Sequence, residues 1–324
     1  MNSLNCQAFY SRLGIIPILM MIDQANIASQ LHTLRDYVRW TCSLMNQHKV
    51  FLGHGHVSTW DESVQLVLAA VHLPWNADPA VMDSRVLDTE KTTIIDYVRQ
   101  RVEERRPLPY ITGEAWFMQM PFRVDERVLI PRSPIAQLIE TEFSPFLRPG
   151  PVERIMDLCT GSGCIGIACA YAFEDAEVDL VDISSDALEV ARLNIADHEL
   201  EERVQAIESD VFTRVKGQQY DLIVSNPPYV DHADFTSMPK EYQHEPELAL
   251  TSGNDGLDIT RQILREACDY LHDGGLLVVE VGNSEVHLME QFPHVPLTWV
   301  ELPMGGNGVF VITKEELAQY RDEF

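Results

Sequence analysis

The sequence predicts an α/β protein: a mostly parallel sheet of seven strands with an antiparallel edge hairpin, preceded by a small helical domain and a short β linker. Three observations carry this prediction. From Val152 onward, apolar β-prone runs alternate with helical stretches; a glycine-rich turn follows the first of those runs; and from Asp23 to Arg106 the pattern is helical with no alternating strand. With 324 residues, 45% hydrophobic and 23% charged, the chain has a globular profile and enough length for two domains with separate cores.

The apolar patch LGIIPILMMI (Leu13 to Ile22) follows one arginine, is interrupted by Pro17 and lacks a small-residue cleavage site. It is short for a membrane span and has the wrong flanks for a signal peptide. Met20 and Met21 stand directly before a polar helical stretch, so residues 1–22 are expected to be an upstream extension, with the natural start at one of these methionines. No other segment approaches the length of a membrane span.

Residues 23–106 are expected to form the helical domain, with substrate recognition as its expected role. Trp60, Val64, Leu68 and Val71 recur at helical spacing, with Ser58 or Thr59 as N-cap and Pro74 as the stop. Ile94, Ile95, Val98 and Val102 repeat the theme before Pro107. Between helices, the glycine-flanked His54-Gly55-His56 reads as a loop, since no third metal ligand lies nearby. Residues 107–131 are β-prone and broken by Gly and Pro, the texture of a β-hairpin linker. Ser133 and Pro134, as N-cap and first helical residue, open a helix expected to reach about Leu147.

Residues 132–324 carry the alternating pattern. The strands are RIMDL, EVDLVDI, RVQAIESD, DLIVSN, GLLVVEVG, LTWVEL and GVFVIT, with helices starting at Gly163 and Ser185 and another from about Asp258 to Leu271. Near-continuous apolar strands between helices imply a sheet covered on both faces. The last two strands lack an intervening helix, which is why they are expected to pair antiparallel at one edge.

Lys and Arg total 24 against 50 acids, a formal net charge of -26, which repels phosphate backbones and attracts basic partners. Stable nucleic-acid binding is therefore not expected. The six cysteines form no CxxC pair, and Cys159, Cys164 and Cys169 are spaced so that their side chains diverge on a helix. They read as reduced core residues of a cytoplasmic protein, and no metal is expected.

Gly161, Gly163 and Gly166 satisfy GxGxxG, which alone points to a dinucleotide pyrophosphate at a helix N-terminus. Asp157, ending the strand before the glycines, instead suits a ligand with a cationic amino group and a sulfonium. Asp182 ends the next strand, where an acid accepts hydrogen bonds from ribose hydroxyls. Asp210 follows the third, where a carboxylate takes an adenine amino proton while Val211 and Phe212 cover the ring. Each acid alone reads equally as an N-cap or a solvated loop residue. Three at successive strand ends on one sheet edge are harder to dismiss. The fourth strand then ends in SNPPYV (Ser225 to Val230), where two prolines stop the sheet in a rigid turn.

Asp157 through Gly163, Asp182, Asp210 and Asn226-Pro227-Pro228-Tyr229 together resemble the motifs of class I S-adenosylmethionine-dependent methyltransferases, specifically the HemK-like glutamine methyltransferases. Cys159 stands where the commonest class I pattern has its first glycine. That departure agrees with the branch acting on large-subunit ribosomal protein L-three, where DLCTGSG is usual. VLIPRSPIAQLIE (Val128 to Glu140) resembles the same branch, whereas the release-factor branch continues Pro-Arg with another Pro. The resemblance runs from about Gln24 to the end and is closest from Tyr110 to Leu257. It implies a Rossmann-like class I fold and methylation of a glutamine amide nitrogen on a basic ribosomal protein, with S-adenosylhomocysteine as by-product. The implied donor-binding residues are Asp157, Cys159, Thr160, Gly161, Ser162, Gly163, Asp182, Ile183, Asp210, Val211, Phe212 and Asn226.

An amide is a poor nucleophile because its lone pair is delocalised. Acceptors gripping both amide N–H bonds position the nitrogen and stabilise the charge that develops on it. Asn226 supplies a side-chain carbonyl, Pro227 a backbone carbonyl, and Tyr229 a flat face that excludes water. Pro228 stiffens the turn, and Phe122 and Arg132 are candidates for the substrate entrance. Glu280 and the stretches HEPELAL and GNDGLD resemble segments flanking the cleft, although Glu245 and Glu247 beside Pro246 read equally as a solvated loop. The alternatives are a release-factor glutamine methyltransferase, an adenine or guanine amino-methyltransferase, an oxidoreductase using the glycine loop, and a catalytically silent donor-binding module. Oligomeric state is open.

Overall fold

The computed structural model describes residues 22–324, so the expected upstream extension lies, apart from Ile22, outside the described residues, as does Cys6. The described chain divides into two compact units. One holds the residues up to Val50 together with Ser58–Arg105; the other holds Phe51–Val57 together with Arg106–Phe324.

The first unit is built from helices α1 (Gln24–Gln30), α2 (Leu34–Gln47), α3 (Thr59–Ala70) and α4 (Asp88–Val102). Side chains satisfy the free N–H groups where helices begin: Thr33 and Asp36 form a capping box on α2, and Ser58 accepts from the Asp61 N–H on α3. Ile94, Ile95, Val98 and Val102 are buried as their spacing predicts. The buried face of α3 is different from the predicted Trp60–Val64 stripe. It runs through Glu62, Ser63, Leu66, Val67, Leu68 and Ala70; of the predicted stripe Leu68 is buried, whereas Trp60 is exposed. Glu62 turns inward because Arg101 of α4, also buried, pairs with it, and a paired carboxylate can occupy a core position.

The second unit opens with α5 (Leu108–Thr112), ended by Gly113 in the left-handed conformation, and an antiparallel hairpin of β1 (Glu114–Phe117) and β2 (Met120–Arg123). After Ser133 the predicted long helix shrinks to α6 (Ala136–Ile139). Glu142 and Phe143 adopt φ of 50° and 58°, the Phe143 N–H closes back on the Leu138 carbonyl at 2.8 Å, and Pro145 has no N–H with which to continue.

Seven strands follow: β3 (Arg154–Leu158), β4 (Glu177–Asp182), β5 (Val204–Glu208), β6 (Tyr220–Ser225), β7 (Leu271–Glu280), β8 (Thr298–Trp299) and β9 (Val309–Thr313). Their spatial order is β5-β4-β3-β6-β7-β9-β8. The first five pair in parallel, and β9 runs antiparallel to both β7 and β8. Helices α7 (Cys164–Ala172), α8 (Ser185–Asp197), α9 (His232–Ser237), α10 (Asp258–Glu266), α11 (Glu285–Gln291) and α12 (Lys314–Gln319) complete the unit. Both faces of the sheet are buried, as the apolar strands predict. Ile155, Leu222 and Leu276 enter one cluster, while their neighbours Met156, Ile223 and Leu277 enter the other. Each such side chain contributes about 1.5–3 kcal/mol on leaving water.

The seven-stranded sheet with its antiparallel edge, and the helical region before it, are the predicted architecture. Strand order reverses between β3 and β6, which opens a crevice at their carboxyl ends. Among the described residues, no helix is long and apolar enough to cross a membrane.

Candidate active site

Two adjacent cavities occupy that crevice. The first, of about 320 Å³, is lined by the turn after β3 (Cys159, Thr160, Gly161, Ser162), by Asp182 and Ile183 after β4, and by Asp210 and Val211 after β5. Asn226, Pro228, Gly253 and Asp258 also reach it. The second, of about 580 Å³, is lined by Pro227, Tyr229, Asp231, Asp234, Tyr242, Glu280 and Gly282, among others. Leu129, Arg132, Asn226 and Ala249 line both.

The turn after β3 folds tightly because Cys159, Gly161 and Gly163 take φ of 60°, 56° and 84°. Left-handed backbone at residue 159 explains why glycine suits that position, and why a cysteine there carries strain of roughly 1–2 kcal/mol. Asp157 is fully buried and braces the turn: its Oδ2 accepts from the Thr160 hydroxyl at 2.5 Å and from the Gly166 N–H at 2.8 Å. Gly166 permits this approach, since a Cβ there would sit 2.1 Å from Leu180 and 2.9 Å from the Asp157 Cβ. Burial pushes the Asp157 carboxyl up to about 7. Its Oδ1 has no hydrogen-bond partner among the described residues. Asp182 accepts from the Gly161 and Ser184 N–H groups, both at 2.9 Å, and burial raises its pKa as well.

Four predicted contact residues line neither cavity; the first is the fully buried Asp157, which braces the glycine turn. Val211, at φ 45°, turns the chain so that Phe212 enters the core and stacks on Tyr270 at 4.4 Å, away from the cavity wall. Phe122 lies on the core side of β2, packed against Phe117 and His198, and lines neither cavity. Gly163 serves as the N-cap of α7, where a Cβ would meet Leu180 at 2.9 Å.

The SNPPYV turn sits beside the glycine loop because β6 pairs with β3 to its last residue. Ser225 is the register partner of Leu158, and its hydroxyl donates to the Leu158 carbonyl at 2.7 Å. Asn226 is therefore delivered to the wall common to both cavities. Its Oδ1 is buried and has no hydrogen-bond partner among the described residues. Tyr229 is fixed from several sides. Its hydroxyl donates to Glu280 Oε1 at 3.1 Å, its carbonyl accepts from the Ser284 hydroxyl at 2.8 Å, and a Cβ on Gly282 would come within 2.5 Å of its ring. Glu280 also accepts from the Ser133 hydroxyl at 2.6 Å, and burial raises its pKa.

Glu245 and Glu247, equivalent in the sequence reading, separate in space: Glu247 is exposed and Glu245 is buried. Glu245 takes both guanidinium arms of Arg132, at 2.5 and 2.8 Å, and the Ile130 N–H at 3.1 Å. Burial alone would raise its pKa, but His54 and Arg132 outweigh burial and hold it at about 2. The His54 Nε2 lies 3.5 Å from Glu245 Oε2. His54 does lie in a loop, as expected, but it is buried there. Its sequence neighbourhood carries no signal of this beyond the flanking glycines, because the partner is remote in the chain.

An open, mostly parallel sheet with an antiparallel edge, and a glycine turn at its switch point, defines a Rossmann-like protein. The profile of the family described as methyltransferase small domain matches residues 143–245. Two curated proteins, each named ribosomal protein uL3 glutamine methyltransferase, resemble most of the chain. The one from Francisella tularensis is 54% identical over 302 residues, spanning 93% of this chain and 96% of its own. The one from Bordetella pertussis is 44% identical over 295 residues, spanning 91% and 99%. The chain belongs to the ribosomal protein uL3 glutamine methyltransferase family. Among solved structures, a methyltransferase from Pyrococcus furiosus is similar at 18% identity and TM-score 0.44, covering 61% of this chain and 90% of that one.

Proposed function

We propose that this enzyme transfers a methyl group from S-adenosylmethionine to the side-chain amide nitrogen of a glutamine in ribosomal protein uL3. The observation that carries the reading is the buried, unpartnered Asn226 Oδ1 on the wall between the two cavities. A buried acceptor left without a donor costs about 1–3 kcal/mol, which a ligand N–H would recover.

The first cavity fits the donor. Leu158, Ile165, Val181 and Val211 give it apolar walls, and Asp182 and Asp210 place carboxylates on its wall. Asp157 does not line the cavity, but it braces the glycine turn through Oδ2 and keeps an unpartnered, buried Oδ1. When bound, S-adenosylmethionine supplies an electrophilic methyl carbon on a sulfonium. In this reading Asp182 accepts from the ribose, Asp210 from the adenine amino group, and Asp157 favours a cationic end. The second cavity takes the glutamine. Asn226 Oδ1 and the Pro227 carbonyl accept from the two amide N–H bonds and aim the nitrogen toward the first cavity. Tyr229, held by Glu280 and Ser284, supplies a fixed ring beside the amide. The N–CH3 bond forms as the S–CH3 bond breaks, and one amide proton then leaves.

A net charge of -26 favours a basic protein substrate over nucleic acid. Exposed Trp60, Trp75 and Leu87 support a role in substrate recognition for the helical unit. The test is Asn226→Ala. Donor affinity by calorimetry is expected to stay within a few-fold, while kcat falls by about 10²–10³, the loss typical of one preorganised polar contact to the transition state. Near-normal turnover by that variant contradicts the reading.

A further inference from the structure

Arg132 lines both cavities, beside the place where a sulfonium and a developing ammonium-like nitrogen must meet under the function proposed above. An uncompensated cation there opposes the transfer. Glu245 compensates it with two hydrogen bonds, and Glu245 is in turn contacted by a residue that the chemistry above does not use. His54 is 7% exposed, neither of its ring nitrogens has a hydrogen-bond partner among the described residues, and its Nε2 stands 3.5 Å from Glu245 Oε2.

The segment around His54 is shaped to bring it there. The Phe51 N–H donates to Glu241 Oε1 at 3.0 Å. At Gly53 a Cβ would meet the Tyr242 hydroxyl at 2.4 Å and the Phe51 ring at 2.6 Å, so any larger residue would have to displace one of these rings. The His54 ring then lies on Tyr242 with centroids 4.7 Å apart, and the same tyrosine carries the Arg132 guanidinium 5.4 Å from its centroid. An apolar ring would fill this space without burying two polar nitrogens.

We propose that His54 is a positioning residue for methyl transfer: through Glu245 it keeps Arg132 charge-compensated and fixed on the wall shared by the donor and glutamine cavities. The proposal rests on the functional reading above. It predicts that losing the ring nitrogens slows the chemical step more than it weakens donor binding, because Arg132 acts on the geometry and charge of the transition state.

The test uses the full chain, S-adenosylmethionine and purified uL3, and compares wild type with His54→Phe and His54→Gln. His54→Phe keeps a ring on Tyr242 and removes both nitrogens; His54→Gln restores an N–H donor. Expected results are a fall in kcat on the order of tenfold for His54→Phe, donor affinity within about twofold of wild type, and recovery of most of kcat in His54→Gln. Unchanged kcat in a His54→Phe protein with native melting overturns the proposal, as does an equal loss in both folded variants. Should His54→Phe fail to fold, His54→Met is compared with His54→Gln by the same criterion. A wild-type enzyme that leaves uL3 unmethylated defeats the functional reading itself, so the two failures are distinct.

Discussion

At the scale of single residues, the buried oxygens Asp157 Oδ1 and Asn226 Oδ1 have no hydrogen-bond partner among the described residues. Asp157 gives the clearest pH signature. Its carboxyl is pushed from the ordinary 3.8 up to about 7 by burial, with the Asp182 charge adding to the shift. The stability contributed by its protonated form is therefore complete below 3.8 and lost as pH rises through about 7. Donor binding moves the other way, since a cationic group favours the carboxylate. Donor affinity measured by calorimetry should increase as pH rises through about 7, and the increase should vanish in Asp157→Asn. A profile that is the same in both proteins removes Asp157 from donor recognition. The places of Asp182 and Asp210 on the cavity wall were legible in the sequence because each stands at or just after the end of a strand of recognisable pattern, whereas Asp157, one residue short of the end of β3, is buried off that wall. The place of Phe212 was not legible, because one left-handed residue at Val211 reverses the direction of the next side chain. The contact of His54 with Glu245 was equally hidden, since local periodicity says nothing about residues that meet only after folding.

At the scale of elements, the decisive piece is the rigid turn after β6. Pro227 and Pro228 fix its backbone, and two glycines from other segments press against Tyr229. Gly256, at φ 75°, has no room for a side chain, since a Cβ would lie 2.0 Å from the Tyr229 carbonyl oxygen. Gly256→Ala is expected to cost about 1–3 kcal/mol of stability, seen as a lower Tm, and to reduce kcat by displacing Tyr229. A variant with unchanged Tm and kcat would show that the turn is not held from that side. The strands were legible because burial on both faces leaves runs of apolar residues. The helix after Ser133 was overextended, because Glu140 to Ser144 contain no glycine or proline to mark a stop, while left-handed backbone at Glu142 and Phe143 and then Pro145 end it. On α3, Leu68 of the predicted stripe is buried, but the ion pair with Arg101 turns Glu62 inward and Trp60 is left exposed, which hydropathy alone does not select.

At the scale of the whole molecule, the governing quantity is a net charge of -26. A basic ribosomal protein is steered toward such a surface, and salt screens the attraction over a Debye length of about 10 Å at 0.1 M. The kcat/KM for uL3 should fall as ionic strength rises, with kcat little affected; a flat response would mean that encounter is not electrostatic. The most direct test of the central claim is to map the product. Mixed ribosomal proteins and ribosomal RNA are incubated with the enzyme and isotopically labelled S-adenosylmethionine, then digested and analysed by mass spectrometry. Label on the side-chain amide of a uL3 glutamine, lost with Asn226→Ala, is the predicted result. Label in RNA, on another amino-acid type, or undiminished in that variant would contradict it.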